Sequence, residues 1–320
     1  MMLKVDQVKE IAVKSVKEYL EEKYPGMEVE FESEVDENSI TTEYLMISDH
    51  HVMGFRIPVK TLFDKYRNGE DIEKYLKEKL GGFLKEYEIV KEAYAFFDHV
   101  KEDFSIAKEY FVPYVFDAET RATLLENHPY RRIGDIALEC HLLYERDGLG
   151  MQMSINHDTI QKWGITEDEL VDLLFARYQE NVYLAGANEM EYCIENEKEP
   201  RNLLKTSYKS GAETEYILGC SSLYDYDAAF IFSSAIMKKV ADVLKDDFYV
   251  ISVCTDNVII TPVECWSGAN RMGELHEKIH QLMVEMEEDR NVLPEQLMMY
   301  SRELGKVVVV TEEEKRQMAG

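Results

Sequence analysis

Between residues 5 and 20 apolar side chains recur at Val5, Val8, Ile11, Ala12, Val16, Tyr19 and Leu20, with Val13 beside them. Steps of three and four place them on one face of a helix, and Pro25-Gly26 supplies its stop. The period then shortens to two. In "MEVEFESEV" Met27, Val29, Phe31 and Val35 lie on one side, and Glu28, Glu30, Glu32 and Glu34 on the other. That alternation predicts a strand with one buried face and an acidic outer one. Residues 40–47 and 52–57 read as two further strands. Pro58 opens two helices divided at Asn68-Gly69, with a break expected at Gly81-Gly82 and more helix over 92–107.

Farther on, "KEYFVPYVFD" reads as extended around Pro113, and residues 118–127 as a short helix stopped by "NHP". Residues 135–145 and 149–155 form a hairpin over Asp147-Gly148. Thr166 and Glu169 make a capping box that starts a helix running to about Gln179. The pattern weakens over 182–212, which reads as a connecting stretch with short helical pieces. "TEYILGCSSL" is a strand. "AAFIFSSAIMKKVADVLK" reads as one helix capped by Asp225 and Asp227, carboxylates that would repel an anion at its start. "DDFYVISVCTDNVIITP" is apolar on both faces of both its strands, so it belongs inside a sheet covered on both sides. A two-residue turn at Asp256-Asn257 would set Cys254 opposite Ile259.

An amphipathic helix over 270–290 follows on Met272, Leu275, Ile279, Leu282, Met283 and Met286. The tail reads as a helix starting at "LPEQLMMYS" and a last strand at "KVVVV". Hairpins and amphipathic helices together predict an α+β fold with largely antiparallel sheets. We expect an N-terminal region, 1–110, and a C-terminal region, 111–320.

Composition sharpens this picture at two points. Of 320 residues 45% are apolar, enough for a sizeable core, while 63 acidic against 36 basic residues leave a net charge of −27. Such a field opposes nucleic acids and anionic membranes and favours basic partners. With no apolar run of signal-peptide or membrane-spanning length, the chain reads as cytoplasmic and its five cysteines as reduced thiols.

Candidate chemistry is sparse. "HEKIH" sets His276 and His280 one helical turn apart, with Glu277 where a zinc hydrolase carries its general base. A catalytic zinc needs a third protein ligand, for which Glu303 lies downstream, with Glu287 and Glu288 nearer. Lys278, between the histidines, argues against this, and two surface histidines on an amphipathic helix are the plainer reading. Asn156, His157 and Asp158 before Trp163 read as a helix cap and a core indole rather than a pocket. His50-His51 beside Asp49 reads as an exposed loop. Cys140 and His141 point to opposite faces of their strand and make no dyad. Nucleotide-binding glycine motifs are absent, and no cofactor is expected.

Three stretches, "LLENHPYRRIGDIALECHLLYE", "MSINHDTIQKWGITEDELVDLL" and "AAFIFSSAIMKKVADVLKDDFYVISVCTDNVIITPVE", resemble an uncharacterised bacterial family. It is common in anaerobic Firmicutes and classed as a domain of unknown function. The resemblance covers most of the chain; it implies an architecture and names no activity or catalytic residue. The functional expectation is therefore a soluble, non-enzymatic binding or interaction protein with a basic protein as partner. The alternatives are a metal-dependent hydrolase using His276, Glu277 and His280, and an acidic mimic of nucleic acid.

Overall fold

The computed structural model describes residues 4–21, 23–35, 39–206, 214–220, 227–252, 254–256, 258–266, 271–285 and 292–311, the side chains of Leu124, Met272 and Glu285 excepted. They cluster into two compact units, Met1–His99 with Tyr144–Met151, and Val100–Leu143 with Gln152–Gly320.

In the first unit α1 (Val5–Leu20) precedes an antiparallel meander of β1 (Glu28–Val35), β2 (Thr41–Ser48) and β3 (Gly54–Pro58). Two helices follow, α2 (Val59–Arg67) and α3 (Ile72–Val100). The two periods of the sequence meet in one core. Val8, Ala12 and Val16 of α1 pack with Leu45 and Ile47 of β2, Leu62 of α2, and Leu76 and Leu80 of α3. The expected break at Gly81-Gly82 is absent: α3 runs unbroken for 29 residues, through the stretch read as a separate helix. Each glycine costs a helix about 1 kcal/mol, and buried Leu76, Leu80, Phe83 and Leu84 on either side more than offset that.

The second unit opens with a single helical turn, α4 (Phe104–Ala107), and β4 (Phe111–Asp117), α5 (Ala122–Leu125), β5 (Tyr130–Ile133), β6 (Ile136–Arg146) and β7 (Leu149–Ser154), the last two except for Tyr144–Met151, which belong to the first unit. The strands form a sheet in the order β4-β6-β5, with β7 paired to β6. β5 has no counterpart in the sequence reading, because "YRRI" is short and mostly polar. Next come α6 (His157–Trp163) and α7 (Glu167–Ala176). Asn156 Oδ1 caps α6 by accepting from the Thr159 amide at 2.9 Å, and the Thr166–Glu169 box caps α7. The Trp163 indole packs against Phe104 and Phe111 and donates to the Lys101 carbonyl.

The remaining elements are β8 (Val182–Gly186), α8 (Ala187–Glu195), β9 (Tyr216–Cys220), α9 (Ser234–Leu244), β10 (Phe248–Ile251), β11 (Val258–Pro262), α10 (Arg271–Glu285), β12 (Met298–Ser301) and β13 (Lys306–Val309). Their six strands make an antiparallel sheet in the order β13-β12-β10-β11-β9-β8. The hairpin read as central is central. Phe248, Tyr249, Val250 and Ile251 are all buried, and Tyr249 and Ile251 pack beneath Leu275 and Ile279 of α10.

Four local readings change. The stretch over 182–212, read as a connection with short helical pieces, holds the helix α8 but also a strand, β8. β10 pairs with β11 through Ile251 and Ile259, so the connection exceeds a two-residue turn and Cys254 instead bridges Val292; Val253 and Asn257 lie outside the described residues. "LMMYS" is strand rather than helix. Its leucine and methionines favour helix locally, but Met298 and Tyr300 complete the hydrogen bonding of β10 and stack Tyr300 on Phe248, and that long-range pairing wins. Finally, residues 227–232 form a 3-10 turn and α9 begins only at Ser234, capped by Ser233. Asp227 accepts from the Cys220 amide instead, and Asp225 lies outside the described residues.

Candidate functional site

The strand period places the glutamates of β1 on the sheet face away from α1. Glu28, Glu30, Glu32 and Glu34 are all exposed. At the ends of the row Glu28 meets His50 at 3.3 Å and Glu34 takes the Arg56 guanidinium at 2.7 Å. Glu30 and Glu32, between them, form no ion pair with any described residue. Register puts Met46 and Tyr44 of β2 beside them, both half-buried. The Arg56 guanidinium lies 4.9 Å from the Tyr44 ring centre while it holds Glu34. A guanidinium is thus already seated here between an aromatic face and a carboxylate. β1 is also an edge strand, with one side unpaired among the described residues.

The second unit holds a different polar cluster. On β6 Glu139 and His141, two residues apart, share a face, with Tyr114 of β4 opposite Glu139. The His141 ring stacks on Tyr114 at 4.6 Å and its Nε2 lies 3.0 Å from Glu139 Oε2. His128, just before β5, brings Nδ1 to 3.6 Å from Glu139 Oε1, and its Nε2 lies 3.5 Å from Ser154 Oγ. Glu139 and His141 are 4% and 7% exposed, so the carboxylate depends on the imidazoles for its compensation. Neither Nδ1 atom has a hydrogen-bond partner. The hydrogen-bonded part of the arrangement is the Glu139–His141 pair, with His128 beside the carboxylate at ion-pair distance. The sequence reading missed it. The available signal was a pair of polar residues at i and i+2 inside an apolar strand, which set Glu139, rather than Cys140, beside His141.

The other sequence candidates lie apart from these. On α10 Leu275 and Ile279 are buried, His276 is half-buried, and Glu277 and His280 are exposed. His280 Nδ1 lies 3.5 Å from Glu295, and Lys278 pairs with Glu215. Glu303 is exposed in the turn between β12 and β13; Glu287 and Glu288 lie outside the described residues. Among the described residues no group of three or more His, Cys, Asp or Glu is placed to hold a metal ion. Asp49 accepts hydrogen bonds from the His51 and Val52 amides and from Tyr87, which makes it the organiser of its loop. No disulfide links the five cysteines, and burial pushes the Cys140 thiol well up.

Among the described residues no helix is long and apolar enough to cross a membrane. No curated protein and no solved structure matches the chain. A family model does match, over residues 6–302, nearly the full length: it describes a family of unknown function, DUF5688. With nearly the whole chain matched, this protein belongs to that family.

Proposed function

We propose that this chain is a binding protein whose partner is a basic protein segment, held on the outer face of the β1-β2-β3 sheet. The observation that carries the reading is the exposed glutamate row, with Glu30 and Glu32 unengaged beside Tyr44 and Met46. Same-face residues on a strand repeat every ~7 Å, the repeat of an extended partner's own alternate side chains. A partner strand with lysine or arginine at every second position therefore meets one carboxylate per cation. Arg56, seated on Tyr44 and Glu34, supports this reading as an intramolecular cation held on the same face. The unpaired edge of β1 offers main-chain hydrogen bonds in addition. The net charge of −27 speeds the encounter of a basic partner with this face.

The test uses a fluorescent peptide of alternating lysine and valine, followed by anisotropy at low and high salt. Binding is expected at low salt, weakening as salt rises. A Glu30→Lys/Glu32→Lys protein is expected to lose at least about tenfold in affinity, since two charge-assisted contacts become repulsions. A Glu73→Lys/Glu78→Lys protein, changed equally in charge on exposed positions of α3, is expected to lose far less. Equal losses in the two variants would reduce the interaction to the general field of the molecule and end the proposal.

A further inference from the structure

A cavity of about 360 Å³ lies where the edge strand β5 of one sheet and the edge strand β13 of the other meet the start of α9. Its polar lining is the reverse of the molecule's. Arg131, Arg132 and Lys306 contribute to the wall, and among the described residues no aspartate or glutamate does, in a chain with 63 acidic and 36 basic residues. Neighbours on a strand point to opposite faces, so Arg131 and Arg132 flank the β5 edge from both sides. Lys306 comes from β13 and forms no ion pair with any described residue.

The arginines have partners, but weak ones. Arg131 meets Asp168, whose side chain is 80% exposed, and Arg132 meets Asp135 at 2.8 Å, likewise in solvent, while its Nε donates to the Gly134 carbonyl. Exposed pairs of this kind contribute little, and a dianion in the cavity competes with them well. The start of α9 adds to the cationic wall without being needed to define it. Ser234 lines the cavity, the first turn holds no acidic residue, and the Ser234 and Ala235 amides have no acceptor within the helix. The aspartates that would have repelled an anion belong to the 3-10 segment and the chain before it, not to the start of this helix. The remaining wall is apolar, with Phe232, Met237 and Val308.

Two arginines and a lysine lining one cavity suit a dianionic oxyanion better than a carboxylate, and the apolar wall suits an attached organic group. We propose that this cavity is a binding site for a phosphomonoester. Its phosphate is held by Arg131, Arg132 and Lys306, and its organic part lies against Phe232 and Val308. The site stands independently of the acidic face of the first unit, and either can fail without the other.

Calorimetric titration of the full chain with inorganic phosphate and with phenyl phosphate, at matched ionic strength, tests it. Saturable binding of one phosphate per chain is expected, with phenyl phosphate tighter. Lys306→Gln and Arg132→Gln are each expected to weaken phosphate by about tenfold or more, and Ser234→Asp to abolish binding. Circular dichroism checks that each variant is folded. Lys306→Gln, at an exposed end of an edge strand, keeps the test decisive if an arginine variant fails to fold. No saturable heat with either probe, or wild-type affinity in folded Lys306→Gln and Arg132→Gln, overturns the proposal. Equal affinity for the two probes removes the role given to the apolar wall.

Discussion

Asp49 and Tyr87 show how a side chain that looks like surface chemistry can be architectural. Partial burial raises the Asp49 pKa, but the Val52 and His51 amides and the Tyr87 hydroxyl lower it and prevail, leaving the carboxyl below the ordinary aspartate value. Burial, together with the same hydrogen bond, pushes Tyr87 up to about 12. The signs differ in consequence. The depressed carboxyl contributes stability above the ordinary aspartate range, and that contribution is lost as pH falls through the lowered pKa. The raised phenol contributes stability below about pH 10 that is lost as pH rises through its folded value. Tyr87→Phe is expected to move the Asp49 titration upward, read by carboxyl NMR, and to cost about 1 kcal/mol in urea denaturation at neutral pH. An unmoved Asp49 midpoint would mean that the hydroxyl does not reach the carboxylate in solution.

At the level of elements the outcome depended on whether a stretch could satisfy itself locally. α1, the β1–β3 meander and α7 carry their own period, turn or cap, and they appear where the pattern puts them. α3 is the informative exception. Its glycines mark a weak point in isolation, yet the helix passes through them because its buried stripe continues on both sides. Gly81 borders a cavity of about 640 Å³ lined by Tyr19, Tyr24, Lys85 and Glu88, and an added Cβ there would meet nothing within 4 Å. Gly81→Ala is therefore expected to stabilise the protein by about 0.5–1 kcal/mol, seen as a higher urea midpoint. A lower midpoint would show that the residue serves the backbone or the cavity rather than the helix.

For the whole molecule, the question is which groups arrive together from distant segments. His276 and His280 share a helix by their spacing alone, but a zinc site also needs a carboxylate from elsewhere and acceptors for the outer ring nitrogens. His280 instead faces solvent and Glu295, and Glu303 stands in a separate turn. Protein purified without chelator is expected to carry no stoichiometric zinc, with a melting temperature unmoved by chelation or by His276→Ala. One zinc per chain that disappears in His280→Ala would reverse that assignment. Glu139, His141, His128 and Ser154 are the opposite case, four groups spread over 27 residues that fold into one cluster around the buried Glu139 and His141.

What the sequence determined by itself was everything set by short-range periodicity: the fold class, the acidic row of β1, the caps of α6 and α7, and the apolar hairpin at the centre of the large sheet. Each rests on residues a few positions apart, whose chemistry is complete within one element. Tertiary structure alone decided β5, β8 and β12, whose short or helix-favouring segments become strands through partners far away in the chain. It also decided the start of α9, where buried Ser233 takes the cap from aspartates that look suited to it. The basic cavity belongs to the same class. Arg131 and Arg132 are separated from Lys306 by more than 170 positions, and only the meeting of two sheet edges brings them to line one cavity.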